Sequence, residues 1–91
     1  MKVTNSYPII ITEKFTQSRA FYKKLGFTPV FDGEWYCQLV WADFPSVQLG
    51  LMKPGHDTQP ALFHAATLGE GNVICLEVED AGVAADEVRD A

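Results

Sequence analysis

Positive charge is scarce in this chain. Seven Lys and Arg stand against twelve Asp and Glu among 91 residues, a formal charge of −5. No basic cluster is denser than Lys23-Lys24, so the charge pattern argues against nucleic acid and against an anionic membrane surface as partners. Long apolar runs are also missing. The opening MKVTNSYPIII holds no stretch of signal-peptide length, and nothing approaches the ~20 apolar residues of a membrane span. Cysteine occurs only twice, at Cys37 and Cys75. Both lie inside apolar runs and read as small, buried, reduced thiols of a cytoplasmic protein rather than as a bridge. What is present is an apolar fraction of 47% and an aromatic fraction of 12%, which suits one globular domain and rules out a disordered segment. A domain of this size buries only about 60–65% of its unfolded surface and needs every contact it makes.

The chain opens with a β-branched run, Tyr7–Thr12, which predicts a strand buried on both faces. Thr12, Thr16 and Ser18 are candidate helix caps. Ala20, Phe21 and Leu25 then recur at helical spacing, with Tyr22 beside them, over about Phe15–Leu25. Lys23 and Lys24 suit the negative end of the helix dipole, and Gly26 is the stop. FTPVF, WYCQLVW and SVQLGLM follow, separated by DGE and ADFP, the pattern of an antiparallel meander. Residues 6–52 thus form a β-α-β-β-β module. The connection 53–71 holds two Pro, three Gly and two His, with one helical turn expected near ALFHAAT. Asn72–Val78 reads as a strand, and Asp80 as the cap of a helix carrying Val83, Ala84 and Val88 on one side. At an offset of 66 residues Tyr7 falls on Val73 and Tyr22 on Val88, a weak internal repeat. The fold class is therefore α+β: one βαβββ module and the βα start of a second, incomplete one at 72–91.

SRAFYKKLGFTPVF, a following hairpin and NVICLEVEDAGVAADEV together resemble the vicinal oxygen chelate superfamily, which includes glyoxalase I, extradiol dioxygenases, and fosfomycin and bleomycin resistance proteins. The resemblance spans the chain and implies two βαβββ modules whose curled sheets face each other around a pocket. It makes Phe21 and Leu25 the residues that pin the helix to the sheet, with Gly26 in a left-handed turn. It also implies that the second module is completed by further strands, in a domain of roughly 120–130 residues, or by another subunit.

Metal-using members of that family carry His, Gln or Glu ligands at positions that fall here on Tyr7, Gln48 and Val73. Tyr is a poor ligand near neutrality and Val is none; a one-residue slip would offer Asn72 instead. No metal, no cofactor and no catalytic residue is therefore expected. His56 and His64 read as loop histidines, GEGN at 69–72 as a turn, and both cysteines as unreactive. The pocket candidates are Tyr7, Trp35, Tyr36, Trp41, Gln48 and Met52, aromatic and polar groups suited to a flat or amphipathic molecule. Strand alternation allows only one of Trp35 and Tyr36 to face a cavity. The expected function is metal-independent binding of a drug or other hydrophobic small molecule in the cavity of a homodimer or higher oligomer. The alternatives are a metal-dependent lyase, transferase or dioxygenase using Gln48 and a loop His, and a fragment that only self-associates.

Overall fold

The structure, a computed structural model, describes residues 1–57, Gln59 and 74–91. Its elements in chain order are β1 (Ile9–Ile11), α1 (Phe15–Leu25), β2 (Phe27–Asp32), β3 (Tyr36–Trp41), β4 (Phe44–Met52) and α2 (Ala81–Asp90). The four strands form one sheet in the order β1-β4-β3-β2. β2, β3 and β4 make an antiparallel meander, as their turn spacing predicts, and β1 joins the far edge parallel to β4. The fold class is α+β.

Pairing register separates two faces. Cys37 lies opposite Leu51 and Leu39 opposite Leu49, while Gln38 lies opposite Gly50 and Val40 opposite Gln48. Because side chains alternate along a strand, Cys37, Leu39, Leu49 and Leu51 share one face and the others point away from it. α1 lies over the leucine face. Its Phe15 joins Phe27, Cys37, Leu39, Leu49 and Leu51 in the buried core, with Ile10, Tyr22, Trp41 and Val47 packed around it. Phe15 and Tyr22 thus anchor the helix, one at each end, where the sequence pointed to Phe21 and Leu25. The latter pair is only half-buried, because the face presented to the sheet is set by Phe15 at the first turn.

Both ends of α1 have a physical cause. Lys14 occupies the cap position without a side-chain bond. The expected hydroxyl caps do not form: Thr12 Oγ1 accepts instead from Lys14 N at 3.0 Å, closing a short turn before the helix. At the other end Gly26 has φ +126°, and its N–H donates to Lys23 O at 3.2 Å. A Cβ there would come within 2.7 Å of Trp41 Cη2, so both conformation and space demand glycine.

β1 is shorter than its β-branched run, and it is an edge strand rather than one buried on both faces. Ile10 packs on the core, while Ile9 stays exposed, since α1 covers one side only. β2 forms the opposite edge, and its pairing with β3 slips between Pro29 and Phe31. Proline has no N–H to give to the ladder, and such an irregularity blunts an exposed edge.

Asp32 at the end of β2 ties that edge back to the helix. Its carboxylate accepts from Arg19 Nη1 and from Lys23 Nζ, both at 2.9 Å. The Lys23 hydrogen bond holds the Asp32 carboxyl below its ordinary range; burial opposes this and the Arg19 hydrogen bond adds to it. A lowered folded pKa means stability that is present above the unfolded value of about 3.9 and is lost as pH falls through the folded one. Solvent reaches all three side chains, so Asp32→Asn should cost less than about 1 kcal/mol near pH 7. Urea titrations of the two proteins should converge in acid and at high salt. A difference that persists below the carboxylate range would show that the pair acts through packing instead.

The C-terminal part departs most from expectation. Residues 74–78 are not a strand: they pair with none of the described residues, and Ile74, Leu76 and Val78 are exposed. Their apolar pattern suits a half-buried strand, but a strand exists only through N–H···O=C exchange with a neighbour. α2 does form, and Asp80 Oδ1 accepts from Val83 N at 3.0 Å as a capping residue should. None of its residues is fully buried, and Val83 and Val88 face solvent.

The thiols follow this division. Both are free; Cys37 is buried in the core and Cys75 is exposed, because only the first sits in a paired strand. Burial also pushes the Cys37 thiol up, suppressing the reactive thiolate. A thiol reagent should label one cysteine rapidly in the native protein and the second only on unfolding. Equal rates at both would contradict the core placement of Cys37.

Candidate functional site

The face turned away from α1 is the site that this architecture leaves available. Alternation places Tyr36, Gln38 and Val40 of β3 there, with Gln48, Gly50 and Met52 of β4 and Ile9 and Ile11 of β1. No helix or strand among the described residues packs over it.

A chain of polar groups crosses this face. Gln48 Nε2 donates to Pro45 O at 2.7 Å, which orients the amide. Gln48 Oε1 then accepts from Gln38 Nε2 at 2.6 Å and from Asn5 Nδ2 at 3.0 Å. Gln38 Oε1 in turn accepts a long bond, 3.4 Å, from the Tyr36 hydroxyl. The Tyr7 phenol stands near that of Tyr36, and Tyr36 is pushed up to about 12, first by burial and then by Tyr7. Tyr36 is therefore a neutral hydrogen-bonding group near neutrality. Gly50 makes room for it: a Cβ there would lie 2.8 Å from Tyr36 Oη and 3.1 Å from Ile9 Cγ1. The Phe31 ring, 6.1 Å from that of Tyr36, extends the aromatic surface at the edge.

Four of the six pocket candidates come together here. Tyr36 and Gln48 belong to the polar chain, Tyr7 stands beside Tyr36, and Met52 lies opposite Tyr36 in the ladder. The other two do not. Trp41 has the parity of Leu39 and lies on the helix side, edge-on to Phe27 at 5.3 Å, so it belongs to the core rim. Trp35 precedes β3 and stacks on His56 at 3.6 Å with an interplanar angle of 10°, while its carbonyl accepts from Lys53 N at 2.8 Å. The choice between Trp35 and Tyr36 falls to Tyr36. His64, the turn 69–72 and Val73 lie outside the described residues.

Asn5, Gln38 and Gly50 are additions. Gln38 was legible from parity, two residues from both Tyr36 and Val40. An isolated glycine inside a strand signals close approach of another group, which here is the Tyr36 ring. Asn5 carries no local signal, since it reaches Gln48 across 43 positions.

This donor set does not fit a divalent cation. Among the described residues the face offers amides and phenols but no imidazole or carboxylate, and Gln48 Oε1 already accepts two bonds. Among the described residues no three His, Cys, Asp or Glu come together. A second concavity, about 340 Å³, lies between the ends of α1 and α2 and is lined by Lys24, Leu25, Glu87, Asp90 and Ala91. It has no aromatic wall and stands apart from the polar chain. No helix of the described residues is long and apolar enough to cross a membrane.

Fold and face together define an α+β module with one covered and one free sheet surface. No family model matches the chain, and no curated protein matches it. Among solved structures it is similar to the 1.7 Å crystal structure of a bleomycin resistance determinant encoded on the transposon Tn5, with a TM-score of 0.59 and 20% identity. That likeness covers 97% of this chain and 64% of the other, so this chain spans under two thirds of its neighbour's length. At that identity the likeness shows the fold alone, an α+β arrangement shared with that protein.

Proposed function

We propose that the chain acts in binding a small molecule, holding a drug-like or other amphipathic ligand against the free sheet face without a metal. The cavity is completed by a second sheet, supplied by another copy in a homodimer or higher oligomer. The observation that carries this reading is the hydrogen-bonded path Tyr36–Gln38–Gln48–Asn5, with Tyr7 beside it, set among Ile9, Phe31 and Met52, on a face that no described element covers. A purely structural surface has no need of an ordered polar chain between apolar neighbours. Such a surface does suit orientation of a ligand that is partly flat and partly polar. The likeness to a bleomycin resistance determinant supports the general class and makes bleomycin a first ligand to try.

The exposed Ile74, Leu76 and Val78 support a second reading, self-association without a ligand. Thermal shift against a panel that includes bleomycin, together with light scattering, separates the two. Binding to the folded state alone adds about 2.7 kcal/mol at a hundredfold excess over Kd. A dimer stabilised by a ligand, and losing that response in Tyr36→Ala, supports binding. A dimer indifferent to every ligand leaves self-association, and a stable monomer that binds nothing defeats both.

A further inference from the structure

The amides on the free face are not evenly matched, and the mismatch specifies a ligand chemistry. Pro45 O can only accept, so the Gln48 atom facing it must be Nε2 and the other must be Oε1. The groups meeting that oxygen must then be N–H donors, which fixes Gln38 Nε2 and Asn5 Nδ2. Gln38 Oε1 is thereby turned to the Tyr36 hydroxyl. The side-chain carbonyls of Asn5, Gln38 and Gln48 now each accept at least one bond, the one on Asn5 from Ser6 N at 2.9 Å. The N–H count runs the other way. Asn5, Gln38 and Gln48 each use one of two amide protons and keep one without a protein partner among the described residues.

Charge narrows the choice. Among the described residues, no strand position on the free face carries an ionised side chain, and Arg19, Lys23 and Asp32 pair with one another on the α1 side. A cationic ligand would meet spare donors and no counter-charge. An anion would find donors but no cation, on a chain of net charge −5. A neutral carbonyl matches both conditions, since it accepts without bringing a charge.

We infer that the ligand class of this face is an uncharged molecule presenting a carbonyl oxygen, of amide, lactam or ester type, beside an apolar or aromatic surface. The carbonyl takes the spare N–H groups of Gln38 and Gln48, and the flat part lies toward Tyr36 and Phe31. This rests on the proposed binding role of the same face and adds the chemistry that it selects.

Three probes of similar shape test it: N,N-dimethylbenzamide, benzoate and protonated benzylamine. Each is titrated into the 15N-labelled protein while the side-chain NH2 resonances of Gln38 and Gln48 are followed. The neutral amide should shift these signals saturably and bind about fivefold or more tighter than either ion, the value of roughly one net hydrogen bond. Gln48→Glu keeps the shape, removes the donors and adds a negative charge, so it should reverse the preference toward benzylammonium. Equal or tighter binding of either ion to the unmodified protein overturns the inference and leaves the binding role standing. If no probe moves these signals although a panel ligand stabilises the protein, the inference alone falls. If nothing binds at all, both readings fall.

Discussion

Leu39→Ala should destabilise the protein by about 2–5 kcal/mol, enough to lower Tm by on the order of 10 °C or more. Leu39 sits in β3, an inner strand of the sheet, is 0% exposed, and packs within the cluster of Phe15, Phe27, Leu49 and Leu51. Deleting its isobutyl group loses transfer free energy and opens a cavity. Ladder bonds on both sides of β3 keep its backbone from closing in on that gap. A small domain has little stability to spare, so a large part of the population should unfold near physiological temperature. Urea denaturation followed by far-UV circular dichroism measures the loss. A change under about 1 kcal/mol would mean that the core collapses around the missing group. Val40→Ala, at the next position, truncates a smaller side chain that is also buried but lies outside the leucine cluster, and should cost less.

The second large effect belongs to Gly26→Ala, expected to cost about 1–3 kcal/mol from backbone strain alone. At φ +126° any Cβ is strained, and this one also meets the Trp41 ring at 2.7 and 2.9 Å. The indole must move, and with it the edge-on contact to Phe27. A shift in tryptophan emission should therefore accompany the drop in Tm. Lower stability with an unchanged emission spectrum would place the cost in the turn and not in the ring. Because the turn joins α1 to β2, the same change should also weaken the Asp32 link to Arg19 and Lys23.

The N-terminal module was readable because its signals are local. Gly26 and the apolar spacing from Phe15 to Leu25 mark the helix to its last residue, and the DGE and ADFP turns mark the meander. What failed depended on partners distant in sequence. The run 74–78 has the composition of a strand, but pairing decides strands, and no described residue pairs with it. Cys75 was expected to be buried for the same reason. In the site, composition singled out aromatic residues, whereas the pleat decides which of them share a face. Counting by two from Gln48 and from Tyr36 retains Met52 and brings in Gln38. The same count sends Trp41 to the helix side. Asn5 was beyond such reasoning, because its partner is set by the parallel docking of β1.

That docking orders the assembly of the sheet. The β2–β3 and β3–β4 connections close over a few residues, while Ile9 meets Gly50 only after some forty have been threaded through α1 and the meander. Loop closure of this kind is entropically later, and non-local pairings form slowly. β1 is also three residues long and half-exposed, so it is the first strand to release and the last to return. With it go Tyr7 and Asn5, and with Asn5 one end of the polar path. Opening and closing of the free face is then a local unfolding event of one edge strand, reached without melting the leucine core.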